Sequence, residues 1–135
     1  MSINVTREVV IVGSSEPALM SLALAFQGTP YEITVAEQKR AIRAAKRIAM
    51  RQPAAMVVSL DGNENVAEFR ELLAASPRTR FLFLQLEMPP RAALSRIVNT
   101  FGAAILSARE APIVVVATLI GLLSIDGPSE DCGMP

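Results

Sequence analysis

The stretch Val9-Val10-Ile11-Val12-Gly13-Ser14-Ser15 decides the fold, because an uninterrupted β-branched run ends in small residues that allow a tight turn. Such a run predicts a strand that is buried on both faces, as in parallel sheets covered by helices. A helix from Pro17 to about Phe26 follows, with Ser14 or Ser15 available as its N-cap. The chain therefore opens with a predicted β-α unit.

The same alternation repeats four more times along the chain. Further strands are predicted at 31–35, 55–60, 81–84 and 104–106, and further helices at about 37–51, 65–75, 90–101 and 112–124. Strands that alternate with helices in this way predict a single (βα)5 domain of the α/β class over residues 1–124, with helices on both faces of a parallel sheet. The Gly, Pro and acidic content of residues 125–135 predicts a flexible polar tail.

Composition limits the function classes. Of the 135 residues, 51% are hydrophobic and 19% are charged, as in globular domains. The 13 basic residues balance 13 acidic ones, so no net electrostatic field favours binding to nucleic acid or to anionic membranes. The N-terminus lacks the apolar core of a secretory signal, and the uncharged stretch 111–125 is too short to span a membrane, which predicts a cytoplasmic protein without membrane contact. The absence of histidine removes the usual general base and metal ligand, and Cys132 is the only cysteine, so we expect no enzyme activity, no cofactor, no metal and no internal disulfide.

Four stretches carry a resemblance to a known family. They are VVIVGSSEPAL (9–19), QPAAMVVSLDG (52–62), SPRTRFLFLQ (76–85) and the Phe-Gly-Ala-Ala step at 101–104. Together with the (βα)5 layout over residues 7–124, they resemble the receiver domain of bacterial response regulators. The resemblance implies a flavodoxin-like, CheY-like fold with sheet order 2-1-3-4-5.

The chemistry of that family uses an aspartate as phosphoryl acceptor, an acidic pair that holds Mg²⁺, a hydroxyl residue and a lysine. Matching the strands places other residues at these positions: Gly13 and Ser14 at the acidic pair, Ser59 at the acceptor, Gln85 at the hydroxyl, and Ser107 or Ala108 at the lysine. The resemblance therefore implies a degenerate pseudo-receiver that works without phosphorylation, as a protein-interaction and dimerisation module in bacterial signal transduction or transcriptional regulation.

One alternative retains phosphorylation. Asp61 could be the acceptor in an unorthodox Mg²⁺-dependent receiver, with Glu16 and Asp61 as a remnant acidic pair. The spacing argues against it, because Asp61 lies only five residues before Val66, the first inward residue of the next helix, and active receivers have a longer acceptor loop.

A second alternative is the regulatory domain of a DNA-binding response regulator whose output domain lies elsewhere. Its only support is the predicted basic helix, with the cations Lys39, Arg40, Arg43, Lys46, Arg47 and Arg51. A charged helix face is usually solvated, and no aromatic residues are interleaved for base stacking, so nucleic-acid binding by this chain is not expected.

The last predicted helix is apolar all round. Ile113, Val116, Ile120 and Leu123 fall on one face, and the opposite face carries Val114, Val115, Thr118, Leu119 and Leu122. An apolar helix that is not covered on both sides leaves a patch that drives association. We therefore expect a homodimer through this helix, centred on Val115, Leu119 and Leu122, with Arg91 and Arg109 adjusting the choice of an unidentified signalling or transcriptional partner.

Overall fold

The computed structural model describes residues 7–62, 64–86 and 88–132, and these form five strands that alternate with five helices. The elements are β1 (Glu8–Gly13), α1 (Glu16–Ala25), β2 (Glu32–Glu37), α2 (Ala41–Ala49), β3 (Ala55–Leu60), α3 (Val66–Ala75), β4 (Arg80–Gln85), α4 (Ala92–Phe101), β5 (Ala104–Ser107) and α5 (Pro112–Cys132). All strand pairs are parallel, and their order is β2-β1-β3-β4-β5. The predicted α/β class, the (βα)5 layout and the sheet order are confirmed.

The sheet separates two hydrophobic cores, because successive side chains of a strand point to opposite faces. Val10, Met56 and Phe83 pack toward α2, α3 and α4, and the ring of Phe83 lies 4.6 Å from that of Phe69 on α3. Ile11 and Leu82 belong to the other core, which is covered by α1 and α5. Both faces of the central strands are therefore buried, which explains their continuous apolar sequence.

Helix α2 is shorter than predicted, because β2 takes the residue at which the helix was expected to begin. Glu37 pairs with Gly13 as the last residue of β2, and α2 begins only at Ala41. Lys39 and Arg40 consequently lie in the turn before the helix, and Arg51 lies after its end.

Helix α5 is longer than predicted, since it continues from Ser124 to Cys132. Residues 133–135 and the side chains of residues 125–132 lie outside the described part of the chain, so the proposed tail at 125–135 stays a prediction. No helix in the described residues is both long enough and apolar enough to cross a membrane.

The predicted interface on α5 is wrong in its central residues. Val115 is 1% exposed and Leu119 is fully buried, and Leu122 packs against the same core under α1 and α5. By contrast, Ile113 is 64% exposed and Val114 is also exposed. In a helix that is apolar on every face, no polar residue marks the outer side. The hydrophobic periodicity therefore could not distinguish the two faces, and the face that packs on the core was predicted to be the dimer interface.

Candidate functional site

The strand register brings the predicted positions together at the C-terminal edge of the sheet. Val12 pairs with Val58, which sets Gly13 beside Ser59 at the ends of β1 and β3. Leu60 pairs with Gln85, and Gln85 pairs with Ser107 at the end of β5. In a parallel α/β sheet this edge is where ligands and reacting groups bind.

Gly13 and Ser59 leave no space between them for a larger group. A Cβ atom added at Gly13 would lie 3.0 Å from Oγ of Ser59 and 3.0 Å from Cδ2 of Leu19. These distances are below ordinary van der Waals contact, so a carboxylate side chain at position 13 would require Leu19 or Ser59 to move.

A backbone hydrogen bond links the ends of β4 and β5, and a local turn follows β5. The N–H of Ala108 donates to the carbonyl of Gln85 at 2.9 Å, and the N–H of Arg109 donates to Oγ of Ser107 at 3.1 Å. Gln85 is buried, whereas Ala108 and Arg109 are exposed. The small residues at 107 and 108 thus form the turn into α5 and carry no charge toward the edge.

The loop between β3 and α3 is organised by Glu64, a residue that the sequence analysis did not single out. Its carboxylate accepts the N–H groups of Asp61 and Gly62, the latter at 3.1 Å. Burial, and next the hydrogen-bonded carboxyl of Asp61, raise the pKa of Glu64. Gly62 is the residue from which the role of Glu64 could have been predicted. A glycine indicates a tight turn, the N–H groups of such a turn need hydrogen-bond acceptors, and Glu64 is the next carboxylate along the chain.

Two further contacts fix the same loop. The Asn65 side chain caps α3 by accepting the N–H groups of Ala67 and Glu68 at 2.8 Å and 3.2 Å. The guanidinium of Arg91, just before α4, donates to the carbonyl of Glu64 at 2.7 Å. Arg91 therefore has a role within the domain, in addition to any contact with a partner.

The residues present at this edge do not fit the Mg²⁺ ion that the receiver fold implies. Mg²⁺ requires hard oxygen ligands in near-octahedral geometry, usually one or two carboxylates. Gly13 and Ser14 supply no carboxylate, Glu16 begins α1 outside the cleft lining described below, and the carboxyl of Asp61 is hydrogen-bonded to that of Glu64. Among the described residues, no group of three or more His, Cys, Asp or Glu side chains could hold a metal ion.

An open cleft of about 530 Å³ lies above the edge, between the first turns of α1 and α5. Leu19, Leu84 and Val115 form its buried wall, and Leu86 stands at the mouth with 60% of its side chain exposed. The complete lining is Ser14, Ser15, Ala18, Leu19, Ser21, Leu22, Ser59, Leu60, Asp61, Leu84, Leu86, Ala108, Glu110, Pro112 and Val115. The lining of this cleft is mainly apolar, with serine hydroxyls and the acidic side chains of Asp61 and Glu110 as its polar groups.

The basic residues around α2 are partly neutralised by acidic residues of neighbouring elements. Lys46 lies 2.7 Å from a carboxylate oxygen of Glu71, and Arg43 lies 3.9 Å from Glu68. Arg51 forms a two-point contact with Glu8 on β1, at 2.6 Å and 3.1 Å. These pairs weaken the case for a phosphate-binding surface on α2, because half of the predicted cations already face a carboxylate.

Solved structures with the same fold are response-regulator receiver domains and related proteins. A LuxR-family two-component response regulator from Aurantimonas sp. SI85-9A1 matches with a TM-score of 0.68 and 15% identity, over 89% of this chain and 86% of that one. A response regulator from Burkholderia pseudomallei, solved with a phosphorylated aspartic acid and calcium, matches with a TM-score of 0.63 and 20% identity, over 96% and 75%. The fold of the chain is therefore that of receiver domains.

A structure outside that group is equally similar in fold. The pilus assembly protein CpaE from Caulobacter crescentus CB15 matches with a TM-score of 0.64 and 15% identity, over 85% of this chain and 98% of that one. No protein-family profile and no curated protein sequence matches the chain. The receiver fold is thus the class that the comparisons define, and the role of this chain has to be argued from its own residues.

Proposed function

We propose that the chain is a pseudo-receiver, a cytoplasmic, non-enzymatic protein-interaction module of bacterial signal transduction or transcriptional regulation that acts without phosphorylation. The observation that carries this proposal is the C-terminal edge of the sheet, where Gly13, Ser14, Ser59 and Gln85 stand in place of the acids and the hydroxyl of an active receiver. A phosphoryl group is stabilised by a metal ion and a lysine. Ser107 and Ala108, at the end of β5, supply no lysine, and no group of three or more His, Cys, Asp or Glu side chains among the described residues could hold a metal ion.

A titration with Mg²⁺ and beryllofluoride, a phosphoryl mimic, tests this proposal. We expect the amide NMR signals of Ser59, Asp61 and Gln85 to stay unchanged, because Ser59, at the proposed acceptor position, has no carboxylate to accept the mimic. Saturable shifts that vanish in Asp61→Asn would overturn the proposal and establish the alternative in which Asp61 is an unorthodox acceptor.

The partner surface that we propose is the outer side of the helical layer formed by α1 and α5. The two helices contact each other, and their outward side chains include Met20 and Leu24 on α1 and Ile113 and Val114 on α5, all exposed. Neither Pro17–Ala25 nor Pro112–Ser124 contains a charged residue. Exposed apolar side chains on these two uncharged segments favour association, here with a second copy of the chain.

Charge substitutions test the proposed dimer. Ile113→Glu and Val114→Glu would each bury a carboxylate in the interface, so we expect a monomer by sedimentation or light scattering with an unchanged circular dichroism spectrum. Met50→Glu is the matched control, because Met50 is 78% exposed after α2, on the other side of the sheet. A dimer that survives both α5 substitutions, or a wild-type monomer, would refute self-association through this layer.

A further inference from the structure

A crevice lined by basic side chains lies beside the start of α2, a helix that packs on the face of the sheet opposite to α1 and α5. Its volume of about 320 Å³ falls at the lower end of the range of small-molecule sites. The complete lining is Gln38, Lys39, Arg40, Arg43, Ala44 and Arg47. Four positive charges and no carboxylate thus line this part of the described surface.

The spacing of the three arginines places them on one side of α2. Arg40 is the residue before the helix, and Arg43 and Arg47 follow three and seven positions later, so each is a neighbour of the next on the helix surface. Lys39 stands beside them in the turn after β2, and all four side chains are exposed. Like charges at this spacing repel each other, and a bound anion would relieve that repulsion.

Most of this positive charge is not neutralised within the protein. Among the described residues, Lys39, Arg40 and Arg47 form no ion pair. Arg43 reaches a carboxylate oxygen of Glu68 only at 3.9 Å, which leaves its guanidinium free to contact a second group. The cations of α2 that lack a close carboxylate are therefore the ones that line the crevice.

The acidic side chains of the surroundings lie outside the lining. Asp61 and Glu64 line two neighbouring crevices, but their carboxyls are hydrogen-bonded to each other, and that of Glu64 also accepts the N–H of Gly62. Glu37 is exposed at the end of β2, next to Gln38, and does not line the crevice either. The local charge at the crevice consequently attracts an anion.

The kinds of side chain in the lining indicate which anion fits. The guanidinium group of arginine matches phosphate oxygens in two-point contacts, and the ammonium group of Lys39 adds a further donor. Several cations around one small crevice suit a compact ligand with more than one phosphate group. None of the six lining residues is aromatic, so the crevice offers no surface on which a nucleobase could stack.

We propose that this crevice binds a short chain of phosphate groups, such as inorganic triphosphate or the triphosphate of a nucleotide, and that it recognises the phosphates and not the nucleoside. The site is separate from the proposed dimer surface on α1 and α5, so it is accessible in the monomer and in the dimer.

Three probes with increasing recognition features test this proposal: inorganic phosphate, inorganic triphosphate and ATP. They are titrated at low salt without Mg²⁺, which would otherwise neutralise the phosphates. We expect triphosphate to shift the amide signals of Arg40, Arg43 and Arg47 saturably and to bind at least about tenfold more tightly than phosphate, because it can contact more of the cations. ATP should bind within about threefold of triphosphate, and added NaCl should weaken both.

Two double variants that remove the same charge separate this crevice from general electrostatic attraction. Arg40→Gln, Arg47→Gln should lower the affinity for triphosphate at least about tenfold, measured by isothermal titration calorimetry. Arg78→Gln, Arg96→Gln, at exposed positions outside the crevice, should change it less than about twofold. All four residues are exposed, so both variants should keep the circular dichroism spectrum of the wild type.

Four results would overturn the proposal. They are the absence of saturable shifts at millimolar triphosphate, equal affinity for phosphate and triphosphate, an equal loss of affinity in the two double variants, and tighter binding of a short DNA oligonucleotide than of triphosphate, which would assign the surface to nucleic acid. The mass of the assembly is measured separately, so failure here is distinct from failure of the proposed dimer.

Discussion

Gly13 and Ser59 show how single side chains determine what the edge of this sheet can do. The alignment that we propose with receivers puts carboxylates at these two strand ends, and here Oγ of Ser59 lies 3.0 Å from the Cβ position of Gly13. Introducing an acid at position 13 would therefore meet a steric barrier before any metal could bind. The packing of β1, β3 and α1 therefore opposes a larger side chain at position 13.

Gly13→Ala tests this close packing directly. The added methyl group would overpack the space beside Leu19 and Ser59, so we expect a loss of about 1–3 kcal/mol in the free energy of unfolding, measured by urea denaturation. Gly121→Ala in α5 is the matched control, because a Cβ there meets nothing within 4 Å and alanine is favoured over glycine in a helix by about 1 kcal/mol. Equal stability changes in the two variants would contradict the packing argument.

The contact of Glu8 with Arg51 makes a second prediction at this scale. The hydrogen bond from Arg51 lowers the pKa of Glu8 against the opposing effect of burial, with further help from the Thr34 hydroxyl. Since the folded pKa lies below the unfolded value, the pair stabilises the fold above the unfolded pKa, and this contribution disappears as the pH falls through the folded pKa.

We therefore expect Glu8→Gln to lower the free energy of unfolding by about 0.5–1 kcal/mol near neutral pH, a modest amount because Arg51 is half exposed and screened by solvent. The difference from wild type should vanish below the folded pKa of Glu8, as measured by denaturation across the acidic range. Glu37→Gln, at an exposed position at the other end of β2, is the control. A difference that grows on acidification would show that the sign of the linkage is wrong.

Among the elements, the strands were predictable from sequence, and the outward face of the last helix was not. β3 was predicted at its observed bounds, because its uninterrupted apolar residues are required by burial on both faces. The face of α5 depends on which of several similar aliphatic residues contacts α1, and no pattern of polar residues marks that choice. Glu64 escaped notice because its role arises from the turn at Gly62, and not from a motif.

The end of α2 offers a prediction for an element boundary. Gln52 follows the helix with φ of 52°, the one non-glycine residue with positive φ in the described chain, and its N–H donates to the carbonyl of Ala49. Glycine adopts this left-handed conformation without strain, so Gln52→Gly should raise the free energy of unfolding by about 0.5–1 kcal/mol. Gln38→Gly is the control, because φ is not positive there. It should lower the free energy of unfolding, since glycine gives the unfolded chain more conformational freedom. The same change in both variants would contradict this account.

At the scale of the whole molecule, charge is distributed unequally between the two sides of the sheet. The layer of α1 and α5 is uncharged from Pro17 to Ala25 and from Pro112 to Ser124, while α2, α3 and α4 carry the basic and acidic side chains. Although the net charge is zero, the side formed by α1 and α5 is therefore suited to apolar contacts, and the side formed by α2, α3 and α4 is suited to contact with water. Composition alone could not indicate this, because it contains no information on which helices share a face.

This asymmetry predicts how association responds to salt. If the α1 and α5 layer forms the dimer, its dissociation constant should change less than about threefold between about 50 and about 500 mM NaCl, because few charges are buried or screened. Sedimentation equilibrium at several protein concentrations measures this constant. A steep weakening with salt would assign the contact to the charged side around α2, and Arg47→Glu would then weaken it further.

The order of the sheet also has a consequence for the synthesis of the chain. β1 is translated first but lies in the interior, between β2 and β3, so its second hydrogen-bonding edge stays open until Leu60 has left the ribosome. The apolar core under α5 closes only when Val115 and Leu119 follow. Between the synthesis of β1 and that of α5 the nascent chain thus exposes a β-branched, aggregation-prone segment, and we expect chaperones that cover β1 during that interval to raise the yield of folded protein.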